Sequence, residues 1–388
     1  STEFEKDNGL DFESLTSEVE AISGADTAAE APGDEFFRRD KHPAWKAKYA
    51  LGWQAQSMFY DFLKSLAPGK ILFDSEYHAL SAESWRAPEM GPDYVRSVLW
   101  LAHLHGLGMN QAWYWARRSD SGITGQDGSA FYGSTGMQPL VLDAYGRTMK
   151  ELNAFAPEIL ALARAPKPLR LFYSTDSAIQ SASFHKTLTK AYEASYFLGR
   201  PLGFVTERML AADDTARMKA YPLLIVPSAT HVSDRAIVQL KRYAEQGGTI
   251  VLLDAASLSL DEYGQARQQG SLAFLKDAPR LDPSETVESL ATRLEALLSQ
   301  TGFPQGVMCR ALDSRLPWGV RCVSARQNAT VLVYLQNVGK EVKTVSLSAA
   351  GTPLQNALDL LRNEKISPGP ITVQPFEMRL LLASTSTK

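Results

Sequence analysis

The sequence predicts an α/β fold in three consecutive parts. Residues 1–165 alternate apolar strands with helices over short connections, the βαβα pattern of a parallel sheet with right-handed crossovers. Residues 168–300 begin a second series of the same kind, which predicts an open, doubly wound sheet. Residues 306–384 contain short strands at near-regular spacing, which predicts a small all-β sandwich.

The first part contains an amphipathic helix over 43–66 with an aromatic face, which Pro68 and Gly69 end. A strand over 70–76 follows it, then a helix over 92–106. Another strand is predicted over 109–118 and a long helix over 137–164. About three strands precede residue 165, fewer than the eight that a closed barrel needs.

The other two parts are predicted from apolar runs separated by turn residues. In the second part the strands are predicted at 169–173, 223–226 and 249–253, and the helices at 187–197 and 234–246. In the third part the strands are predicted at 319–324, 329–335, 343–347, 356–361, 371–373 and 379–382.

Composition excludes several classes of function. The formal net charge is -3 and no basic stripe occurs, which argues against nucleic acid or an anionic membrane as the partner. No apolar run reaches the roughly 18 residues of a membrane span. The two cysteines, Cys309 and Cys322, cannot form a structural zinc site alone, and we expect buried free thiols. No Gly-rich phosphate loop of either common type occurs, and no cofactor is expected.

Glu76 is the residue around which a function can be built. It ends the apolar strand that begins at Ile71, and a (β/α) barrel presents its catalytic residues at the C-terminal ends of its strands. A retaining glycosidase uses two carboxyl groups, one of which attacks the anomeric carbon. The alternative is that Glu76 caps the next loop or pairs with Arg86. Asp74 shares a strand face with Glu76 and is expected to be a supporting residue, buried against an Arg or Lys of a neighbouring strand.

Several residues near the strand ends are candidates for binding a sugar. They are Tyr77, His78, Trp85, Trp113, Trp115 and Arg117. A Trp at a barrel mouth offers an apolar platform for a pyranose ring, and Tyr77 and His78 could hydrogen-bond sugar hydroxyls or orient Glu76. His103 and His105 fall in a helix and are interpreted as packing or solvent residues.

The second part has a strand order that suggests a glutamine amidotransferase. Such an enzyme needs a nucleophilic Cys on a sharp strand-to-helix turn, but the turn over 227–231 has none. Ser228 in that turn is not in a Gly-x-Ser-x-Gly setting. A role in packing or assembly is therefore predicted for this part.

The order of the three parts resembles the C-terminal portion of glycoside hydrolase family 42, whose β-galactosidases combine a barrel, a trimerisation domain and a small β domain. The run Ile-Leu-Phe-Asp-Ser-Glu ending at Glu76 looks like the family's nucleophile strand. The run ending in Trp-Tyr-Trp-Ala-Arg at Arg117 looks like its eighth barrel strand. Residues 168–254 are similar to its amidotransferase-like trimerisation domain, and 359–365 and 371–377 to its last β strands.

This resemblance implies a (β/α)8 TIM barrel represented here by about strands 5/6 to 8, with Glu76 as the nucleophile. It implies hydrolysis of terminal β-D-galactosides by double displacement, a carbohydrate as the partner, and a homotrimer. The family's Cys-rich zinc cluster is absent, which implies no metal.

The family's acid/base Glu follows an Asn, and Asn363-Glu364 reads as a turn of the β domain. We therefore expect the acid/base residue upstream of Ser1 and the 388 residues alone to be inactive, with Glu3 as the alternative second carboxylate.

Two other functions remain open at this stage. One is a non-catalytic carbohydrate-binding or assembly protein on a glycosidase scaffold. The other is a barrel glycosidase that acts on another glycan, such as one derived from agar or arabinose. An Asn-Glu pair in the upstream gene sequence would favour an enzyme. A cytoplasmic location is expected.

Overall fold

A computed structural model describes most of the chain. The described residues are 11–23, 48–77, 91–112, 139–212, 215–268, 270–304 and 306–384. They form a mixed α/β structure with four sheets. Among these residues, no helix is both long enough and apolar enough to cross a membrane.

The first part contributes a three-stranded parallel sheet, in the order β1 (Ala21–Ser23), β2 (Ile71–Tyr77) and β3 (Leu107–Ala112). Its helices are α1 (Phe12–Glu18), α2 (Trp53–Leu66), α3 (Pro92–Leu104), α4 (Pro139–Ala154) and α5 (Ala156–Ala163). The strand β2 therefore lies in the middle, with a parallel neighbour on each side. The sheet is parallel, as the alternation of strands and helices predicts.

The helix predicted over 137–164 is divided in two. The helix α4 ends at Ala154, and α5 begins at Ala156 with Pro157 in its first turn. A proline has no N–H to donate to the residue four positions earlier, so the chain cannot continue one regular helix through this position. The break was not predicted because the apolar periodicity alone runs through it.

The second part forms a five-stranded parallel sheet in the order β5, β4, β6, β7 and β8. Its strands are β4 (Leu169–Tyr173), β5 (Leu202–Thr206), β6 (Leu223–Pro227), β7 (Thr249–Leu253) and β8 (Arg280–Leu281). Its helices are α6 (Thr175–Gln180), α7 (Phe184–Tyr196), α8 (Glu207–Ala212), α9 (Thr215–Lys219), α10 (Asp234–Glu245) and α11 (Val287–Gln300). This strand order is one of the two common doubly wound arrangements. Six elements of the second part are not predicted from the sequence: β5, β8, α11 and the short helices α6, α8 and α9.

The third part consists of two antiparallel sheets. One has the order β10, β11, β17, β14 and β15, and in the other β12 pairs with β9, β13 and β16. The strands are β9 (Val307–Ala311), β10 (Val320–Gln327), β11 (Thr330–Asn337), β12 (Lys343–Ala349), β13 (Thr352–Pro353), β14 (Ala357–Asp359), β15 (Glu364–Ile366), β16 (Ile371–Val373) and β17 (Met378–Ser384). Residues of both sheets share one apolar cluster, as in a sandwich.

The three parts are joined by aromatic and cationic contacts. Trp53 of α2 stacks on Tyr196 of α7 with the ring centroids 4.0 Å apart. Trp100 of α3 stacks on Tyr334 of β11 at 5.8 Å. The buried guanidinium of Arg321 lies 4.3 Å from the Tyr196 ring centroid. One continuous core therefore includes residues from all three parts.

Candidate active site

Glu76 lies one residue before the C-terminal end of β2, the central strand of the three-stranded sheet. Its backbone belongs to the strand, and its side chain lies outside the described part of the structure. Tyr77 pairs with Ala112, so β2 and β3 end at the same level. The C-terminal ends of both strands therefore lie at one edge of the sheet, the edge at which parallel α/β proteins place their ligands.

The two faces of the sheet differ in burial. Leu72, Asp74 and Tyr77 of β2 are completely buried. On β2 and β3, Ile71 and Met109 are 60% and 51% exposed. Side chains alternate along a strand, and the pairing between β2 and β3 is irregular between Asp74 and Tyr77. One face is thus covered by helices, and the other is open in the described structure.

Asp74 is held by a tyrosine of the covering helix. The Tyr60 hydroxyl of α2 donates a hydrogen bond to Asp74 Oδ2 at 2.6 Å. The sequence had suggested a cation from a neighbouring strand, whereas this donor is a phenol from α2. Burial and the charge of Asp74 raise the pKa of Tyr145 in α4 to about 12. The Tyr145 hydroxyl donates to Asn110, which pairs with Asp74 in the sheet.

Tyr77 has a structural position that differs from the predicted one. Its ring is completely buried and its hydroxyl donates to the Val98 carbonyl oxygen of α3 at 3.1 Å. Burial raises the pKa of this phenol well above its ordinary value. The structure thus places Tyr77 in the core and corrects the prediction of a contact with a sugar hydroxyl. The sequence did not show this because the irregular pairing changes which positions face the helices.

The other predicted substrate-binding residues are not part of the described structure. His78, Trp85, Trp113, Trp115 and Arg117 all lie outside the described residues. The last described residue of β3 is Ala112, directly before Trp113. Their predicted roles stay predictions.

The two histidines near the end of α3 are packing residues. His103 Nδ1 lies 2.8 Å from the Leu99 carbonyl oxygen, and burial lowers the pKa of this imidazole. His105 Nε2 is hydrogen-bonded to the Tyr196 hydroxyl at 3.1 Å. Its other nitrogen, Nδ1, lies 3.0 Å from Asp61 Oδ1 at an angle outside hydrogen-bond geometry, so this contact is mainly electrostatic.

Asp61 is the centre of a buried polar cluster between the first and second parts. Its Oδ2 accepts a hydrogen bond from the Tyr192 hydroxyl at 2.7 Å. Burial by itself would raise the pKa of Asp61, but the charge of His105 and the hydrogen bond from Tyr192 hold it below its ordinary value. The sequence analysis missed this cluster, because its members come from α2, α7 and the end of α3.

The second part contains a sharp turn of the type that carries a nucleophile in other enzymes. Ser228, directly after β6, has a positive φ of 47°. Its hydroxyl is completely buried and donates within a cluster that includes Thr187 Oγ1 and Asp254 Oδ2, each at 2.9 Å. His231 Nδ1 lies 3.0 Å from Thr230 Oγ1, and no hydrogen bond between the described residues joins His231 to Ser228. The hydroxyl therefore has no access to a substrate.

Among the described residues, no cluster of His, Cys, Asp or Glu could hold a metal ion.

Comparison with solved structures finds a fold similar to that of glycoside hydrolase family 42 enzymes. An exo-carrageenase of this family from Bacteroides ovatus is 29% identical to the chain, with a TM-score of 0.79. A family 42 β-galactosidase from G. stearothermophilus is 15% identical, with a TM-score of 0.69. A β-galactosidase from Bacillus circulans sp. alkalophilus is 14% identical, with a TM-score of 0.68.

These similarities extend over nearly the whole chain but not over the whole of the other proteins. They cover 99%, 97% and 97% of the chain and 51%, 61% and 62% of the three enzymes. The chain thus spans about half to three fifths of the length of these structures. A search with family models and a search of curated proteins give no match. The chain has a family 42-like fold, which confirms the resemblance seen in the sequence.

Proposed function

We propose that the chain is part of a retaining glycoside hydrolase in which Glu76 is the nucleophile. The observation that carries this proposal is the place of Glu76 at the end of the central strand of a parallel sheet with one open face. The family 42-like fold supports a glycoside hydrolase. It does not by itself assign any residue.

Glu76 lies within the irregular stretch of β2 between Asp74 and Tyr77, so strict alternation from Asp74 does not fix its face. The proposal requires that position 76 serve the open side of the sheet, where a substrate can approach. Asp74 on the covered side would act only indirectly, by fixing the strand through its hydrogen bond with Tyr60.

The proposed reaction is a double displacement. The Glu76 carboxylate attacks the anomeric carbon as a second carboxyl group protonates the departing oxygen, and a glycosyl-enzyme ester forms. Water, deprotonated by that second group, then attacks the same carbon and releases Glu76. Because the sequence analysis expects the second carboxyl group outside these 388 residues, the assays use the full polypeptide encoded by the gene, with the 388-residue chain beside it.

The nucleophile can be identified by trapping. A 2-deoxy-2-fluoro-β-galactoside with a good leaving group should accumulate as an ester on residues 71–86, the tryptic peptide that contains Glu76. Fragmentation of that peptide should place the sugar on Glu76, and Asp74→Asn should still be labelled whereas Glu76→Gln should not. Label on another carboxylate would overturn the assignment. Neither label nor turnover with any glycan would favour the non-catalytic carbohydrate-binding alternative.

The 388-residue chain is the control for the missing acid/base group. We expect it to show no turnover of a chromogenic β-galactoside. Turnover that disappears on Glu76→Gln would instead indicate that Glu3 supplies the second carboxyl group.

Two substrate classes are in question. The β-galactosidases at 14–15% identity support terminal β-D-galactosides, as the sequence analysis expects. The higher identity of 29% to an exo-carrageenase favours a second candidate, the chain ends of carrageenan. Comparison of kcat/KM for a β-galactoside and a carrageenan oligosaccharide distinguishes them.

Two further parts of the proposal concern assembly and location. Residues 168–300 are proposed to act as an amidotransferase-like trimerisation domain, which the buried hydroxyl of Ser228 supports by making catalysis there unfavourable. A homotrimer of the full polypeptide would appear in light scattering at three times the chain mass.

A cytoplasmic location stays a prediction, which cell fractionation would test.

A further inference from the structure

We propose that Cys309 and Cys322 form a reversible disulfide bond that joins β9 to β10. They are the two cysteines of the chain, and both are free and buried in the structure. This modification site is independent of the proposed glycosidase activity. It rests on the contact between the two strands, the burial of both thiols and a small cavity beside Cys309.

The strands β9 and β10 belong to different sheets and lie beside each other at the start of β9. The Val307 N–H of β9 donates to Ser324 Oγ of β10 at 3.0 Å. A Cβ built on Gly199 would lie 3.9 Å from the Val307 carbonyl oxygen and 4.0 Å from that of Cys322, so both strands pass one point. Cys309 lies two residues after Val307 and Cys322 two residues before Ser324, so each cysteine shares a strand face with a residue of this contact.

Both side chains point into the same core. Cys309 is 4% exposed and Cys322 is 1% exposed, and both belong to the apolar cluster between the two sheets. Because Cys309 pairs with Leu347 and Cys322 with Leu335, the proposed bond would join the two sheets of the sandwich. A disulfide requires facing Cβ atoms on neighbouring backbone segments, and the proposal requires this of Cys309 and Cys322.

A small cavity lies beside Cys309. It has a volume of about 30 Å³ and is lined by Cys309, Arg200, Arg310 and Glu295 among others. That volume holds one or two water molecules, so an oxidant as small as hydrogen peroxide fits but a bulky reagent does not. The hydrogen bond with Cys322 and burial raise the pKa of Cys309 well above its ordinary value. Oxidation should therefore be slow at neutral pH and faster in alkali, because the thiolate is the reactive form.

The chemistry balances with hydrogen peroxide as the two-electron oxidant. The Cys309 thiolate attacks one peroxide oxygen, the O–O bond breaks, and hydroxide leaves and takes up the proton lost by the thiol. The resulting sulfenic acid is attacked at sulfur by Cys322, the S–O bond breaks, and the oxygen leaves as water with the Cys322 proton. Two thiols are oxidised to one disulfide, and one peroxide is reduced to two waters.

The bond would crosslink the two ends of the chain segment that connects β9 to β10. Trp318 in this segment packs on Phe197 with the ring centroids 4.8 Å apart, and the Lys48 ammonium lies 5.6 Å from the Trp318 ring. The segment thus connects the third part of the chain with the other two. A crosslink at its base restricts the unfolded chain and should raise the unfolding temperature.

The test is thiol counting on the full chain after incubation with hydrogen peroxide. Alkylation under denaturing conditions should count two thiols before oxidation and none after it. Trypsin cuts after Arg293, Arg310, Arg321 and Arg326, so the two cysteines fall in peptides 294–310 and 322–326. These peptides should run as one linked species that dithiothreitol separates. The rate of thiol loss should rise by up to about tenfold per pH unit between about pH 7 and 9.

The matched controls are Cys322→Ala and Cys309→Ala. Neither should give a linked peptide, and neither should show the rise of several degrees in unfolding temperature that oxidation gives the unsubstituted chain. Because the thiol count and the linked peptide are measured on the unsubstituted chain, the test does not depend on the folding of a variant. Two thiols that persist after oxidation, or cysteines linked between chains, would overturn the proposal.

Discussion

The chain contains two parallel sheets that bury their residues differently. Every residue of β5 and β6 in the five-stranded sheet is buried, because helices cover both of its faces. In the three-stranded sheet Leu72 is completely buried, but its neighbour Ile71 is 60% exposed. Among the described residues, the five-stranded sheet thus has two covered faces and the three-stranded sheet has one. The difference indicates that the five-stranded sheet contributes mainly to stability, whereas the three-stranded sheet, which contains Glu76, has a face that no described residue covers.

The largest expected effect tests whether the open face carries the chemistry. In the full polypeptide, Glu76→Gln should lower kcat by about 10⁴-fold or more, because the amide cannot form the glycosyl ester. The unfolding temperature should stay within about a degree, as for a surface substitution. Steady-state kinetics and thermal unfolding of the same preparation check both. A large loss of stability together with activity would mean that position 76 supports the core.

The next effect concerns the junction between the two sheets. Asp61→Ala should lower the free energy of unfolding by about 3–5 kcal/mol, because His105 and Tyr192 lose their buried partner. The folded pKa of Asp61 lies below its unfolded value, so its stabilisation is complete above about pH 4 and is lost as the pH falls further.

Urea unfolding at a series of pH values between about 3 and 7 checks the prediction for Asp61. The variant should lose less stability than the unsubstituted chain below about pH 4. If the free energy of unfolding fell equally with pH in both proteins below about pH 4, the lowered pKa of Asp61 would be contradicted. Asp143→Ala, whose carboxylate is exposed, serves as the control.

A comparison within one strand sharpens the contrast between the two faces. Leu72→Ala removes a completely buried side chain and should lower the free energy of unfolding by about 2–5 kcal/mol. Ile71→Ala, one position away on the open face, should change it by no more than about 0.5 kcal/mol. Urea unfolding of both variants is the measurement. Equal losses would show that the open face is covered in solution, for example by association of chains.

The smallest effect concerns the hydrogen bond from α2 to the covered face. Tyr60→Phe should lower the free energy of unfolding by about 1.5–3 kcal/mol, because Asp74 loses a donor to a charged acceptor. Tyr94→Phe provides a control on α3. A reduction in kcat without a loss of stability would instead indicate that this bond positions the end of β2.

Much of the fold can be predicted from the sequence, but the roles of side chains at the site cannot. The strands β4, β6 and β7 follow from apolar runs, and β2 is predicted to within one residue at each end. The strand β5 was missed because Leu202–Thr206 contains Gly203 and follows a proline. Tyr77 was assigned to the wrong surroundings because a strand irregularity changes the alternation of faces.

The three-part organisation and the position of Glu76 at a strand end follow from the sequence alone, because both depend on local apolar patterns and turn residues. Only packing shows which face of β2 is covered, that Tyr60 is a hydrogen-bond partner of Asp74, and that Asp61 lies beside His105 and Tyr192. Packing also brings Cys309 and Cys322 into one buried apolar cluster. These pairs come from separate elements, so their contacts are set by packing and register, which no local pattern contains.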